Sequence, residues 1–325
     1  MQLLVTGTIP DEFRLKFEAL GFDIQHYEHS ALVDESKFCT AIKDASVYIS
    51  GGYEVASKKV IEAATHLRQI IFLGSDYAPY IDVATATARN ITICNTLGSN
   101  SNSVAEFTIG LLLAAARRIP SLVDAVRAGS WSCPTTNDLR GKTIGLIGFG
   151  NVASKVAKIA SSGFGLRVLC WTRNRARISP EMFEYRDLHD LMPECDFLSL
   201  HVPAQSIRLL EYHFKLMRHG VILINTAPAD LVDPDSLYQA LVSGSVACAA
   251  FDGFYHEGKG PPQGIVKQLL ELPKDKLIVT PHAAWRTKDT DIESYKIALA
   301  NVVSFFDNGT APNAVNTISQ PSKSQ

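Results

Sequence analysis

Apolar residues in this chain come in short unbroken runs, separated by segments in which they recur every three or four positions. LLVTG (residues 3–7) closes on glycine, and DEFRLKFEALG then places Phe13, Phe17 and Leu20 on one helical face between Pro10 and Gly21. ASVYIS, QIIFLG and ITICN repeat the strand pattern, with the helical SKKVIEAATHL among them. Strands that are apolar throughout must be covered on both faces, so the alternation predicts a parallel sheet sandwiched by helices. Residues 103–118, SVAEFTIGLLLAAARR, read as one long apolar helix. After the polar GSWSCPTTNDLRGK comes a second series of strands: TIGLIGF, LRVLCW, FLSLHV, VILINT, ACAAFD and KLIVTP. The pattern therefore predicts an α/β protein of two tandem domains, each a doubly wound parallel sheet. The tail SQPSKSQ is expected to fray.

Composition narrows the picture by exclusion. The 325 residues, 46% hydrophobic, suffice for two cores. A net charge of −2 leaves no electrostatic footprint for nucleic acid or an anionic membrane, and neither is expected as a partner. The six cysteines are spread singly, which argues against a disulfide framework or a metal site and for a reducing compartment. MQLLVTGTIPDEF has no signal-peptide pattern, and FTIGLLLAAA is shorter than the ~20 residues a bilayer needs. A cytoplasmic protein is expected.

The first chemical signal is TIGLIGFGNVASKVAKIA, a strand, a glycine turn and a helix in succession. Gly148-Phe149-Gly150-Asn151-Val152-Ala153 fits G-x-G-x-x-G/A. Gly148 makes the tight turn, Gly150 lets the backbone approach a pyrophosphate, and Ala153 lets helix pack on strand. The amides around Asn151 and Val152 open a helix N-terminus. The bland alternative is a plain βα turn. NAD sites usually place an acid near the end of the next strand. Here LRVLCW runs into Thr172-Arg173-Asn174-Arg175, with Arg177 beyond, and the acid is absent. Arginines suit a 2′-phosphate, so NADP(H) is the expected cofactor with NAD(H) possible; a solvated surface cluster is the alternative.

The order of five blocks resembles the D-isomer-specific 2-hydroxyacid dehydrogenase family over nearly the whole chain. They are NTLGSNSNSVAEFTIGLLLAAARR, GLIGFGNVA, CDFLSLHVPA, INTAPADLVDPDSLYQALVSGSVACAAFDGF and VTPHAAW. The resemblance implies a discontinuous, flavodoxin-like substrate-binding domain (1–100 plus 291–325) around an inserted Rossmann NAD(P)-binding domain (101–290). It implies a homodimer built largely around residues 103–118, and an oxidoreductase acting on a small molecule by hydride transfer between nicotinamide and a carbonyl. The family's proton-transfer histidine matches His282 in TPHAAW; an imidazole with a pKa near ~6.5 can give and take a proton at working pH. The glutamate that steadies it matches Glu257, with Asp252 opening the same turn. His201, Val202 and Pro203 would line the adenosine side; Thr226, Ala227, Asp252, His282 and Ala284 would complete the cofactor contacts. Ser50, Gly51 and Gly52 match the family's carboxylate-binding loop. Tyr77, like Tyr53 and Tyr80, is either a wall of the substrate site or ordinary packing.

One group is missing. Where the family reads Ile-Asn-Thr-x-Arg-Gly, this chain reads Ile224-Asn225-Thr226-Ala227-Pro228-Ala229. A guanidinium binds a carboxylate bidentately and no neutral side chain imitates it. Losing a donor aimed at a developing oxyanion costs roughly 10²–10³ in rate. Three readings follow: a reductase whose substrate is not a simple 2-keto acid, or which uses another cation such as Arg286; a dinucleotide-binding sensor or interaction module without dehydrogenase activity; or a reductase of imines or another polarised double bond.

Overall fold

A computed structural model describes residues 1–27, 34–51, 54–178, 183–255 and 260–318. The chain forms two compact units, residues 1–100 with 286–325, and residues 101–285. The chain thus returns to the first unit earlier than the expected residue 291.

Unit one is built from β1 (Gln2–Thr6), α1 (Asp11–Ala19), β2 (Asp23–Tyr27), α2 (Glu35–Ile42), β3 (Ala45–Ser50), α3 (Lys58–Ala63), β4 (Gln69–Phe72), α4 (Val83–Ala88) and β5 (Thr92–Asn95). Its five parallel strands lie in the order β2-β1-β3-β4-β5, the flavodoxin-like arrangement. Alternate residues of each strand face opposite sides. Leu3, Val5, Val47, Ile49 and Ile71 pack on Phe13 and Phe17 of α1 and on Tyr295, Ala298 and Val302 of the C-terminal helix. Leu4, Tyr48, Ile70 and Ile93 pack on Phe38, Ile42, Val60, Ile61 and Ala86 from the helices opposite. The strand β2, DIQHY, has no apolar run because it is an edge strand with no residue fully buried.

Unit two begins with α5 (Ser101–Ala116) and α6 (Ile119–Arg127). The single helix expected over residues 103–118 ends at Ala116 because Arg118 turns left-handed (φ 52°). A new helix starts after it with Pro120 in its first turn, where a missing N–H is tolerated. Then follow β6 (Thr143–Ile147), α7 (Asn151–Phe164), β7 (Arg167–Trp171), β8 (Glu184–Tyr185), α8 (Leu188–Glu194), β9 (Phe197–Leu200), α9 (Glu211–Leu216), β10 (Val221–Asn225), α10 (Pro234–Ser243), β11 (Val246–Asp252), α11 (Gly264–Leu270) and β12 (Leu277–Thr280). The last helix, α12 (Lys288–Asn308), is the C-terminal helix of unit one.

The seven strands of unit two run parallel in the order β12-β11-β10-β9-β6-β7-β8. This is the dinucleotide-fold order with one added edge strand, and its switch point lies between β6 and β9. Ile144, Leu146, Phe197, Ile224 and Ala250 face α5 and α7; Leu198, Leu200, Leu223 and Phe251 face α8 to α11. Among the described residues no helix is long and apolar enough to cross a membrane.

Candidate active site

Because every strand of unit two is parallel, the turns after β6, β7, β9, β10, β11 and β12 all open at one edge of the sheet. Most of the residues singled out from the sequence sit there. At the switch point, Gly148 has φ +101° and donates its N–H to Trp171 O at 2.8 Å. A Cβ at this position would run into the His201 carbonyl oxygen, so the end of β6 and the end of β9 come together only around glycine. Gly150 is the N-cap of α7 and supplies no side-chain cap. The first-turn amides, from Asn151 and Val152 on, keep the donor positions that a pyrophosphate takes at a helix N-terminus. Ala153 is fully buried in the core shared with α5. These residues fit a dinucleotide.

At the end of β7, the Asn174 amide donates to Thr172 Oγ1 (3.2 Å) and Ala176 N to Asn174 Oδ1 (3.2 Å), which closes the turn without an acid. Arg173 and Arg175 share no acidic partner among the described residues. Arg175 pairs with Asp187 at 3.3 Å and lies over the Tyr185 ring, 3.9 Å from its centroid. Arg173 is exposed and has no ion pair among the described residues; the side chain of Arg177 lies outside them. His201 hydrogen-bonds Ser199 Oγ at 2.9 Å, and burial pushes its pKa down to about 4. It is a neutral side chain, followed by half-buried Val202 and exposed Pro203.

The turn without an arginine is tied by internal hydrogen bonds. Asn225 is fully buried; its Oδ1 accepts the Ala227 N–H at 3.0 Å and its Nδ2 donates to Pro228 O at 3.3 Å. Thr108 Oγ1 commits its proton to Val104 O (2.7 Å), so the Thr226 hydroxyl is the donor in the 3.0 Å bond between the two threonines. Pro228, at φ −52°, is exposed and leads into a short 3-10 turn, Ala229–Leu231. Proline's fixed φ matches this geometry.

His282 stands on a clamped loop. Asp252, 5% exposed, ends β11; its Oδ1 accepts from Thr280 Oγ1 (2.7 Å) and Ala283 N (2.8 Å), and its Oδ2 from Ala284 N (2.8 Å). Both oxygens therefore hold donors from the chain itself, and Asp252 fixes the loop that carries His282. Between the clamped positions, His282 adopts φ +54° with its N–H on Thr280 O (2.9 Å) and its side chain exposed. Left-handed backbone costs an L residue about 1–2 kcal/mol, so the clamp sets where the imidazole emerges. Tyr255 fastens the chain beyond β11 by donating to Val232 O at 2.8 Å. Glu257 lies outside the described residues.

In unit one the expected substrate loop is tied to β1 at Gly51. Ser50 is 1% exposed, and the Gly51 amide donates to Thr6 Oγ1 at 3.1 Å. Gly52 and Tyr53 lie outside the described residues. Tyr77 packs in the turn after β4, and Tyr80 stacks on Phe72 with centroids 5.4 Å apart. Arg286 donates to Thr8 Oγ1 at 3.2 Å. The sequence reading missed Glu54, which is buried among hydroxyls, and the Asp252 clamp; an isolated acid carries no mark of either role.

Comparison with known proteins agrees with this geometry. Residues 109–284 match the family described as D-isomer specific 2-hydroxyacid dehydrogenase, NAD binding domain. The glyoxylate reductase of Aeropyrum pernix is 38% identical over 73% of this chain and 72% of its own. That of Korarchaeum cryptofilum is 31% identical over 97% and 96%. A Thermus thermophilus protein of known structure superposes with a TM-score of 0.85 at 28% identity, covering 97% of this chain and all (100%) of that one. The chain belongs to the D-isomer specific 2-hydroxyacid dehydrogenase family, oxidoreductases acting on CH–OH/C=O groups with a nicotinamide dinucleotide held in a Rossmann-type domain.

Proposed function

We propose that this protein is an NADPH-dependent reductase of a carbonyl compound that is not a simple 2-keto acid, with His282 as the proton donor. The observation that carries the reading is the Asp252 clamp, which spends a buried carboxylate on presenting one imidazole at the carboxyl edge of the dinucleotide sheet. When bound, the dinucleotide supplies a hydride to the carbonyl carbon. His282 gives its proton to the oxygen as the C=O π pair moves there, and the neutral imidazole recovers a proton from solvent. Glu257, by its match to the family pattern, favours the charged imidazole between turnovers.

Gly148, Gly150, Asn151 and Val152 hold the pyrophosphate, and Arg173 takes the 2′-phosphate, with Arg175 recruitable because exposed ion pairs contribute only about 0–1 kcal/mol. Neutral His201 with Val202 and Pro203 walls the adenosine side; Thr226, Ala227 and Ala284 flank the nicotinamide side. NADH remains a usable but poorer donor.

The substrate assignment differs from that of the glyoxylate reductases among the relatives for two reasons. Residue 228 offers no guanidinium, and the Gly51 amide is committed internally. Arg286 is engaged by Thr8 and sits near Asp291, whose pKa burial raises while Arg286 offsets part of that rise. The family's homodimer is also proposed, since α6 turns Ile119, Val123 and Val126 outward at 44–48% exposure.

The test is NADPH oxidation with aldehydes, ketones, 2-keto acids and imines, for wild type and Pro228→Arg. The expected outcome is wild-type turnover of a carbonyl lacking a neighbouring carboxylate, and a gain of about 10²-fold on glyoxylate or hydroxypyruvate in the variant. Wild-type preference for glyoxylate would refute the substrate assignment, and imine-only turnover would replace it. NADPH binding with no turnover of any compound would refute the reductase.

A further inference from the structure

Glu54 follows the Ser50–Gly51 turn and is 2% exposed. Its Oε1 accepts from Tyr48 OH at 2.6 Å, from Ser50 Oγ at 3.3 Å and from Thr6 Oγ1. Burying a carboxylate is unfavourable unless hydrogen bonds replace its water. The strands beside it contribute Leu4, Val5, Val47 and Ile49, all fully buried, so packing alone would be served by an aliphatic side chain. What the acid adds is the orientation of its donors.

The Thr6 hydroxyl turns its proton toward Glu54, with Ile49 O a longer alternative at 3.3 Å, and so presents its lone pairs to the Gly51 amide at 3.1 Å. The Gly51 peptide is thereby fixed with its N–H inward. Gly51 also interlocks with Gly7. A Cβ on Gly7 (φ +79°) would meet Gly51 O at 2.7 Å, and one on Gly51 would meet Thr6 O at 2.6 Å. Neither turn can shift without the other. Thr8, next along from Gly7, accepts from Arg286. One buried carboxylate is thus linked through Thr6 to the Ser50–Gly51 turn, and through the glycine crossing to Thr8, which accepts from Arg286.

We propose that Glu54 is a positioning residue for substrate binding in unit one, acting through Thr6 on the Gly51 peptide and through the Gly7–Gly51 crossing on Thr8 and Arg286. The proposal rests on the reading of the protein as a carbonyl reductase. Glu54 touches no substrate and transfers no proton; its effect falls on the KM of the carbonyl compound.

The test uses the best substrate from the panel above and measures kcat, both KM values and thermal stability for wild type, Glu54→Gln, Glu54→Leu, Thr6→Val and the Thr6→Val/Glu54→Leu double variant. Glu54→Leu should raise the carbonyl KM by about tenfold or more, since small displacements of a binding group are expensive, while the NADPH KM stays level. Glu54→Gln keeps an acceptor oxygen of the same reach and should remain within about threefold of wild type; Thr6→Val should match the leucine variant, and the double variant should be no worse than either, as members of one relay are not additive. An unchanged carbonyl KM in Glu54→Leu overturns the proposal, as does additivity of the two sites, or a parallel rise of both KM values with falling stability. Should Glu54→Leu not fold, the comparison of Thr6→Val with Glu54→Gln decides: equal KM values overturn the proposal. Absence of NADPH consumption by wild type with every compound marks failure of the reductase reading, and this inference falls with it.

Discussion

Replacing Asp252 by asparagine changes one atom in the clamp under His282. The carboxylate accepts three hydrogen bonds, two of them from the backbone amides on the far side of His282. Asparagine keeps one acceptor oxygen. If that oxygen retains Thr280 and Ala283, the new NH2 group faces the Ala284 N–H, donor against donor. Losing one hydrogen bond to a charged group costs about 1.5–3 kcal/mol, and the left-handed φ of His282 holds back a further ~1–2 kcal/mol that the weakened clamp no longer supports. For a unit of this size the first figure lowers Tm by roughly 3–12 °C, at about 2–4 °C per kcal/mol. The loop relaxes, His282 leaves its station, and kcat falls by about 10²-fold. The NADPH Kd changes less than kcat, because the glycine turn lies on other strands and only the Ala284 contact is loosened. Thermal unfolding and steady-state NADPH oxidation read the two effects. A variant with wild-type kcat and Tm would refute the clamp as the device that presents the imidazole.

Other outcomes follow from the same structure. Arg173→Ala should raise the KM for NADPH by about tenfold, the loss expected for one charge-assisted contact, and leave that for NADH unchanged; equal effects on both would remove Arg173 from the 2′-phosphate. Stability should respond to acid through His201, whose pKa falls from 6.5 to about 4 on burial. The unfolded chain binds this proton below pH 6.5 and the folded one only near 4, so stability drops as pH falls across that window, by about 2–3 kcal/mol. Denaturant titrations of wild type and His201→Gln should show the variant losing less, and parallel curves would contradict the assignment. Val123→Glu on α6 should convert a dimer to a monomer by sedimentation, whereas a wild-type monomer would end the homodimer proposal.

How much was legible in the sequence depended on where each element lies. The strands buried on both faces, such as VILIN and TIGLI, announced themselves as apolar runs. The edge strands DIQHY and Glu184–Tyr185 did not, since an edge is half-solvated and needs no run. The break at Arg118 was hidden because left-handed arginine carries no composition signal, whereas Pro120 just after it was a usable sign. Local turns were readable, since Gly148, Gly150 and His282 stand in short motifs that close strands. Pairings across long stretches were not, and Asp252 meets Ala284 over 32 residues while Thr6 meets Glu54 over 48. The three arginines looked like one cluster in sequence, yet Arg175 is drawn away by Asp187 and Tyr185.

The most direct measurement compares turnover with cofactor binding in His282→Ala. The variant should bind NADPH within about twofold of wild type while kcat drops by 10²–10⁴-fold, roughly the contribution of one positioned general acid. Turnover that survives at the wild-type rate, or NADPH binding lost together with it, would contradict the role given to this imidazole.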